Sequence, residues 1–271
     1  MNANTEANII SSLDELPFWS APFGNELLSQ IQLKKDLKVL DIGCGTGFPI
    51  IQLAQMLGES ATCYGNDISE SAAERAIFKI KNQEIKNIQI LNASAESIPF
   101  ADNTFDLIIS NNGLNNVNNF EIAMAEIKRI AKKDCQLVFS MNTKRTFSLF
   151  YNYLKEVLTE FNLENQIRIV DQHIKEKRPS VEKIKKIIFS TGFQLHNIIY
   201  SEFFLRYSDG TSFLNSFFIK YAFMPSWIKI LPDEKSKAIL KEVENKLNLY
   251  SSKEGELKME VPFPVFSIGT P

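Results

Sequence analysis

The chain is poor in the residues that most often bind metals or form disulfides. Its 271 residues include three cysteines and two histidines. Cys44, Cys63 and Cys135 lie far apart, in or beside apolar runs, and their spacing fits neither a zinc site nor a disulfide framework. We therefore expect buried, reduced thiols and no bound metal. With two histidines, few side chains are suited to proton transfer near neutral pH.

Excess positive charge and long apolar runs are also missing. The 30 Lys and Arg residues are offset by 32 Asp and Glu residues, so the formal net charge is -2. This charge gives no whole-molecule attraction to a nucleic-acid backbone, and the sequence shows no basic stripe that would form a local patch. No apolar stretch is long enough to cross a bilayer, and the N-terminal sequence lacks the features of a signal peptide. We expect a cytoplasmic monomer or homodimer with no membrane span and no nucleic-acid partner.

What the chain does contain is an alternation of short apolar runs and helical patterns from about residue 25 to residue 141. This alternation is typical of repeated βαβ units around a parallel sheet. It predicts strands over 37–42, 61–66, 88–91, 106–110 and 136–141, and a helix over 120–132. The first half of the chain is therefore predicted to be an α/β fold.

The second half of the chain shows a different order of predicted helices and strands and is richer in aromatic residues. Helices are predicted over 146–162 and 180–190 and a strand over 193–205, and an aromatic-rich, partly helical segment follows over 208–254. The last apolar run, 257–268, contains Pro262 and Pro264, which place it at or near a sheet edge or bulge. We predict one domain in four parts: an N-terminal helical segment 1–34, a core 35–142, a C-terminal half 143–207 and 255–271, and a helical cap 208–254.

The first crossover carries the strongest chemical signal. Residues 39–47 read Val-Leu-Asp-Ile-Gly-Cys-Gly-Thr-Gly, a buried strand that leads into three alternating glycines. Such glycines let the backbone turn sharply and let a ligand approach where a Cβ would collide. A dinucleotide fingerprint needs a further glycine at position 48, where this chain has Phe48. The loop predicts a nucleotide-like ligand and disfavours a nucleotide-dependent oxidoreductase.

Two acids flank this loop. Asp67 ends the second predicted strand, and its carboxylate can accept hydrogen bonds from both hydroxyls of a ribose. The alternative is that Asp67 caps the following helix. Asp41, before the first glycine, either bonds to loop amides as a buried acid or faces a cationic amino group of the ligand, and both interpretations stay open.

Three segments together resemble the class I S-adenosylmethionine-dependent methyltransferases. They are residues 39–47, the stretch Gly-Asn-Asp-Ile-Ser at 65–69, and Ala-Glu-Ser-Ile-Pro-Phe-Ala-Asp-Asn-Thr-Phe-Asp at 95–106. They look most like the branch that contains the ubiquinone and menaquinone biosynthesis methyltransferases and many small-molecule methyltransferases. The resemblance covers about residues 35–142. It implies a Rossmann-like, mostly parallel sheet of seven strands with the last antiparallel, S-adenosylmethionine as cofactor and S-adenosylhomocysteine as product.

The resemblance also implies a cofactor site. The residues carried over are Asp41, Gly43, Gly45, Thr46, Gly47, Asp67, Ile68, Ser94, Ala95, Glu96, Asn111 and Asn112. The glycines would approach the methionine and ribose parts, and Asp67 would hold the ribose. Ile68 would flank the adenine. The family usually has an acid where this chain has Ser94, so the polar contact to the adenine amino group is expected from the serine hydroxyl or a backbone carbonyl.

Polar residues after the fourth strand are expected to face the methyl acceptor. Asn111, Asn112, Asn115 and Asn116 stand at the carboxyl end of that strand, where open α/β sheets bind ligands. The alternative is a turn and helix cap, because asparagine tolerates left-handed geometry.

Catalytic candidates are His173, Asn112 and Arg206. His173 is a general base, an acceptor contact or a plain surface residue. Arg206 is bracketed by aromatic residues beside a predicted Asp209–Gly210 turn. Lys177-Arg178-Pro179 is either a clamp for an acidic acceptor or a solvated loop.

The predicted function is transfer of a methyl group from S-adenosylmethionine to a small-molecule acceptor. In-line displacement from a sulfonium depends on alignment in a dry pocket, and residues 17–23 with 208–254 are predicted to close over it. Ordinary core packing of these aromatics is the alternative. Competing functions are a cofactor-binding sensor or assembly factor without transfer activity, and a nucleic-acid methyltransferase, which the missing basic groove disfavours.

Overall fold

The computed structural model describes residues 3–14 and 17–271. Its strands are β1 Lys38–Ile42, β2 Thr62–Asp67, β3 Ile88–Asn92, β4 Phe105–Asn111, β5 Ala131–Ser140, β6 Gln194–Tyr207 and β7 Leu257–Gly269. Within the described residues they form one sheet in the order β3-β2-β1-β4-β5-β7-β6. The pairs β2–β3, β1–β2, β1–β4 and β4–β5 are parallel, and β5–β7 is antiparallel. The predicted Rossmann-like sheet is confirmed.

Helices flank this sheet and connect its strands. They are α1 Ala3–Asp14, α2 Ser20–Ser29, α3 Ile50–Leu57, α4 Glu70–Asn82, α5 Phe120–Ile130, α6 Ser148–Glu160, α7 Glu164–Lys177, α8 Val181–Ser190, α9 Gly210–Asn215, α10 Met224–Lys229 and α11 Ser236–Glu254. A 3₁₀ turn spans Leu114–Asn116 and a π-helical turn spans Ile219–Phe223. The sequence patterns did not predict α7, which lies between the two helices expected over 146–162 and 180–190.

Helix α5 shows how apolar spacing places a helix on the sheet. Ala123, Ile127 and Ile130 recur every three or four residues and are fully buried. Asn119 caps the helix, because its side-chain oxygen accepts hydrogen bonds from the backbone amides of residues 121 and 122 at 3.0 and 3.1 Å. The helix ends at Ile130, two residues earlier than expected, because β5 begins at the next residue.

Strand β7 lies one strand in from the edge of the sheet. Its registered pairing with β5 runs from Val265 to Gly269, past both prolines. Pro262 and Pro264 take part through their carbonyl oxygens, which accept hydrogen bonds from the amides of Thr143 and Met141. The prolines are tolerated because the contacts they make need no proline N–H.

The chain divides into two compact units. The first contains residues up to 142 together with 181–201 and 263–271, and the second contains 143–180 and 202–262. In the second unit Trp227 is fully buried, stacks on Phe150 at 3.9 Å between ring centroids, and donates its indole N–H to the Tyr151 hydroxyl at 2.9 Å. Aromatic packing therefore forms the core of this unit. The expectation that 208–254 forms a separate cap stays a prediction.

The three cysteines are free and buried. Burial raises the pKa of the Cys63 and Cys135 thiols to about 12, so neither is a thiolate near neutral pH. In the described part of the chain, no helix combines the length and apolar character that a membrane span requires.

Candidate functional site

The loop between β1 and α3 holds its glycines in left-handed conformations. Gly43 has a φ of 68°, and a Cβ there would lie 2.9 Å from the Cα of Gly113. Gly45 has a φ of 53°, and a Cβ there would meet nothing within 4 Å. Gly43 is thus required for close packing of two loops, whereas Gly45 presents an open backbone surface that a ligand can approach.

Asp67 joins this loop to the end of β2. Its Oδ2 accepts a hydrogen bond from the Gly45 amide at 2.8 Å, and its Oδ1 accepts one from the Ser69 amide at 2.9 Å. The helix α4 is capped instead by Ser69, whose hydroxyl accepts from the Ala72 amide at 3.3 Å. Each oxygen of the Asp67 carboxylate has a second lone pair, so the fixed carboxylate can still accept from a vicinal diol.

A cavity of about 180 Å³ lies beside Asp67. Its lining includes Ile42, Gly43, Asn66, Asp67, Ile68, Ser94, Ala95, Glu96, Gly113 and Val117. The Ile68 side chain is 70% exposed at this cavity, which leaves an apolar surface free for a flat ring. Ligand pockets commonly span about 300–1,000 Å³. A cavity of this size therefore fits one part of a larger ligand, such as a nucleobase.

Two of the predicted adenine-edge residues are already hydrogen-bonded within the protein. The Ser94 hydroxyl accepts from the Glu96 amide at 3.1 Å, and Glu96 Oε1 accepts from the Asn119 amide at 2.6 Å. The Ser94 hydroxyl keeps its proton available, so it can donate to a ring nitrogen or accept weakly from an amino group. Glu96 additionally fixes the start of α5.

Asp41 is a buried acid without a counter-charge. Its side chain is fully buried, and neither carboxylate oxygen has a hydrogen-bond partner among the described residues. Burial raises the pKa of Asp41 well above its ordinary value, and the negative charge of Asp67 raises it further. The structure shows no bond from Asp41 to the glycine-loop amides. A cationic ligand group would supply the missing partner.

Asparagines at the carboxyl ends of β4 and β5 form a hydrogen-bonded network. The Asn115 amide nitrogen donates to the side-chain oxygens of both Asn112 and Asn142. Asn112 has a φ of 59°, and its backbone amide donates to the Ser140 hydroxyl at 3.1 Å. The Asn115 side-chain oxygen is buried and has no partner within the described residues. This network can therefore accept one more hydrogen bond, from a ligand O–H or N–H.

The Asn111 side chain does not join this network and contacts helix α2 and Ser140 instead. Its Nδ2 donates to the backbone oxygen of Ser20 at 3.1 Å, and its Oδ1 accepts from the Ser140 hydroxyl at 3.1 Å. Gly24, on the same helix as Ser20, lies so close to Phe48 that a Cβ would come within 2.2 Å of the ring. Asn111 and Phe48 thus fix helix α2 at the glycine loop.

Helix α1 is tied to the same loop through Asp14. Asp14 accepts hydrogen bonds from the Thr46 hydroxyl at 2.5 Å, from Arg75 Nε at 2.8 Å and from Lys79 Nζ at 2.7 Å. Its side chain is 9% exposed. Thr46, which the sequence assigned to the cofactor, therefore donates its hydroxyl proton to the end of α1, and its hydroxyl oxygen and backbone stay available to a ligand.

The remaining catalytic candidates belong to the second unit. His173 lies half-buried on α7, and its pKa is lowered by burial and by the charges of Arg178 and Lys177. Arg206 is exposed and pairs with Glu256 at 2.7 Å. Asp209 caps α9 by accepting from the Ser212 amide at 2.6 Å, so the predicted Asp-Gly turn is a helix start. Arg178 is 5% exposed, so the solvated-loop interpretation is wrong for its side chain, whereas Lys177 is exposed.

Sequence reasoning missed three residues of the site. Asn66 is buried at the cavity, where its Nδ2 donates to the Ala93 carbonyl at 3.1 Å and its Oδ1 has no described partner. Gly113 packs against Ile42 so tightly that a Cβ would lie 2.4 Å from that carbonyl oxygen. Asn142 follows β5 at the same sheet edge as the β4 asparagines. Its position two residues after the end of a parallel strand was the available signal.

The donor set fits a ligand that is cationic at one end and nucleoside-like at the other. Asp41 lacks a cation, Gly45 leaves open backbone, Asp67 can bind a diol, and Ile68 lines a cavity of nucleobase size. S-adenosylmethionine has this arrangement of groups. Across residues 3–14 and 17–271, no group of three or more His, Cys, Asp or Glu side chains is placed to hold a metal ion.

Comparison with known proteins agrees with this geometry. Residues 33–200 match the family described as "Methyltransferase domain". The demethylmenaquinone methyltransferase of Geobacillus sp. (strain WCH70) is 29% identical over 140 residues, which cover 50% of this chain and 60% of that protein. The chain thus matches about 60% of the length of this curated relative.

Solved structures share the fold at lower identity. A SAM-dependent methyltransferase from Aquifex aeolicus is 22% identical, with a TM-score of 0.54 and coverage of 70% of this chain and 91% of its own. A putative methyltransferase from Bacillus halodurans is 15% identical, with a TM-score of 0.61 and coverage of 92% and 98%. These likenesses extend the same architecture over most of the chain.

Proposed function

Because the chain belongs to the methyltransferase-domain family, we propose that it transfers a methyl group from S-adenosylmethionine to a small-molecule acceptor. The observation that carries the proposal is the Asp67 carboxylate, which Gly45 and Ser69 hold at the mouth of a nucleobase-sized cavity. The cofactor supplies an electrophilic methyl group on a sulfonium. The protein contributes binding, orientation and exclusion of water.

The residues of the first unit divide these tasks. Asp67 accepts from the ribose hydroxyls, and Ile68 with Ala95 contacts the adenine ring. Asp41 faces the ammonium group of the methionine part, because a buried acid without partners favours a neighbouring cation. The open backbone of Gly45 contacts the same part of the cofactor. These contacts fix the position of the sulfonium before the acceptor arrives.

The acceptor is proposed to bind at the asparagine network. Asn115 presents a buried oxygen without a partner, and Asn112 and Asn142 hold its amide group in place. An acceptor hydroxyl or amine would donate to that oxygen, which orients the nucleophile. Because an amide is not a base, the proton that the acceptor loses on methylation would pass to solvent water. The relative's name, demethylmenaquinone methyltransferase, makes a quinol-like ring the acceptor class that we propose to screen first.

The rest of the chain is proposed to cover and contact the acceptor. Residues 17–23 and 208–254 are proposed to shelter the acceptor during transfer. His173 and Arg206 remain candidates for contact with it. The protein is proposed to work as a monomer or a homodimer.

The experiment is calorimetric titration with S-adenosylmethionine, S-adenosylhomocysteine and NAD. Wild-type protein should bind the two adenosyl compounds and not NAD. Asp67→Ala should weaken that binding by about tenfold or more, because it removes charge-assisted hydrogen bonds worth about 1.5–3 kcal/mol each. Asp233→Ala, which removes an exposed acid outside the cavity lining, is the matched control and should bind as wild type does.

Turnover is then measured separately with 1,4-dihydroxynaphthalene as the quinol probe. Formation of S-adenosylhomocysteine and a methylated naphthalene product would support transfer to this acceptor class. Tight NAD binding, or an Asp67→Ala variant that binds both adenosyl compounds as well as wild type does, would show that the glycine loop serves another ligand.

A further inference from the structure

The second unit contains a buried positive charge that no carboxylate balances. Arg178 directly follows α7 and is 5% exposed. Its Nη1 donates to the Thr146 carbonyl at 2.8 Å, and its guanidinium carbon lies 5.0 Å from the centroid of the Tyr151 ring. Among the described residues no Asp or Glu forms an ion pair with it. A buried ion without a counter-ion costs several kcal/mol, so its retention here calls for a partner.

A group without a hydrogen-bond partner lies on the residue that Arg178 contacts. Thr146 is fully buried, and its hydroxyl has no hydrogen-bond partner within the described residues. The Arg178 guanidinium is held in place on one side by the Thr146 carbonyl and on its face by Tyr151, whose own hydroxyl accepts from Trp227 at 2.9 Å. Fixed donors of this kind bind a planar anion with little loss of rotamer freedom.

We propose that Arg178 and the Thr146 hydroxyl form a binding site for the carboxylate of a small organic acid. One carboxylate oxygen would accept from the guanidinium and the other from the hydroxyl. A single carboxylate balances a single guanidinium charge, whereas a phosphate dianion would leave excess negative charge in a buried site. Carboxylate binding there does not depend on the proposed methyl transfer, since every group involved belongs to the second unit.

The side chains packed around Tyr151 are largely aromatic. Phe150, Tyr151 and Trp227 are almost fully buried in the same unit, and Phe150 stacks on Trp227. His173 lies on α7, five residues before Arg178. Burial, and after it the positive charge of Arg178, keeps the pKa of the His173 imidazole below the ordinary value. His173 therefore adds a neutral polar group rather than a second cation.

The test uses the full chain and measures the thermal unfolding midpoint against the concentration of sodium benzoate, sodium acetate and sodium phosphate. Sodium chloride at the same ionic strength is the reference. We expect benzoate and acetate to raise the midpoint in a saturable way, because a ligand that binds the native state stabilises it. Phosphate should act as chloride does.

Three variants assign the effect to the site. Arg178→Met should abolish the carboxylate effect. Thr146→Val, which keeps the shape of the side chain, should weaken it about tenfold, as expected for one lost hydrogen bond to a charged group. Arg145→Met, which removes an exposed arginine paired with Glu260, is the matched control and should respond as wild type does.

Wild-type protein that responds equally to benzoate and chloride would overturn the proposal, as would a carboxylate effect that persists in Arg178→Met. A response to phosphate alone would overturn the choice of carboxylate. If Arg178→Met does not fold, the proposal is tested by comparing Thr146→Val with Arg145→Met. Equal shifts of the unfolding midpoint with carboxylate in these two variants would exclude Thr146 as a ligand.

Discussion

At the residue scale, the raised pKa of Asp41 makes the stability of the protein depend on pH. This raised pKa, caused first by burial and then by the Asp67 charge, means that the folded chain holds this proton more tightly than the unfolded chain does. The free energy of unfolding is therefore lowered as pH rises from about 4, the ordinary pKa of an aspartate, towards the raised value in the folded state.

Asp41→Asn should accordingly stabilise the ligand-free protein. We expect the free energy of unfolding at pH 7 to rise by about 1–3 kcal/mol, because the substitution removes a buried acid without hydrogen-bond partners. The gain should shrink as pH falls towards and below about 4, because the wild-type carboxyl is fully protonated in both states only below its unfolded pKa. Urea unfolding at the two pH values measures this, with Asp102→Asn, an exposed acid, as the control. A loss of stability at pH 7 would contradict the prediction.

Residue roles were predictable from sequence where backbone geometry dictates the residue type. Gly43 and Gly45 adopt positive φ angles, which alternating glycines after a strand indicate directly. Asn142 and Asn115 were harder to assign, because their contact depends on the ends of β4 and β5 meeting in space. The unpaired state of the Thr146 hydroxyl depends in the same way on long-range packing.

At the element scale, helix α1 is held on the glycine loop by one carboxylate. Burial alone would raise the pKa of Asp14, but hydrogen bonds from Lys79, Thr46 and Arg75 outweigh it and hold the pKa below the ordinary value. The stabilising contribution of Asp14 is therefore present above its unfolded pKa of about 4 and is lost as pH falls through the folded value.

Asp14→Asn should loosen α1 while the rest of the first unit stays folded. Loss of the charge-assisted hydrogen bonds should ease local opening by about 2 kcal/mol, which is roughly a 30-fold drop in amide protection over Ala3–Asp14. Hydrogen exchange followed by mass spectrometry of that segment measures the change. Glu6→Gln, an exposed acid on the same helix, should leave protection unchanged, and equal protection in both variants would exclude Asp14 as the tether.

The elements that sequence reasoning found are those with an apolar face. Helix α5 buries residues at helical spacing, and its existence and position were predicted within two residues. Helix α7 fully buries only Val170 along its 14 residues. Ile167 and Ile174 share its face at helical spacing, but polar and charged residues surround this short stripe, and the sequence analysis passed over it. The position of β7 near the sheet edge followed from Pro262 and Pro264.

At the scale of the whole molecule, the chain folds as two units made from interleaved segments. The second unit is built around Trp227, which contacts Phe150 and Tyr151 from α6 and lies on α10. Lys246 on α11 adds ion pairs to Glu156 and Glu160 at 2.7 and 2.8 Å. Composition and periodicity did not give this division, because it depends on contacts between segments far apart in sequence.

Trp227→Ala should destabilise the second unit by about 3–5 kcal/mol, as expected for truncation of a fully buried aromatic side chain. Hydrogen exchange should increase over 143–180 and 202–262, whereas affinity for S-adenosylmethionine, which the first unit is proposed to bind, should change by less than about twofold. Ile228→Ala, at the neighbouring 42% exposed position, should cost under about 1 kcal/mol. Parallel loss of cofactor binding and protection in Trp227→Ala would show that the two units unfold together.

During synthesis on the ribosome, β5 is made long before β7, the strand that pairs with it in antiparallel fashion. Strand β5 ends at Ser140, but the residues that pair with it, 265–269, are translated only after the whole second unit. At about 5–20 residues per second, the interval is roughly 6–25 seconds. Throughout that time one side of β5 has its N–H and C=O groups unpaired, a state that invites pairing with other nascent chains. Chaperone binding to nascent chains that end between residues 140 and 265 would protect this strand until translation is complete.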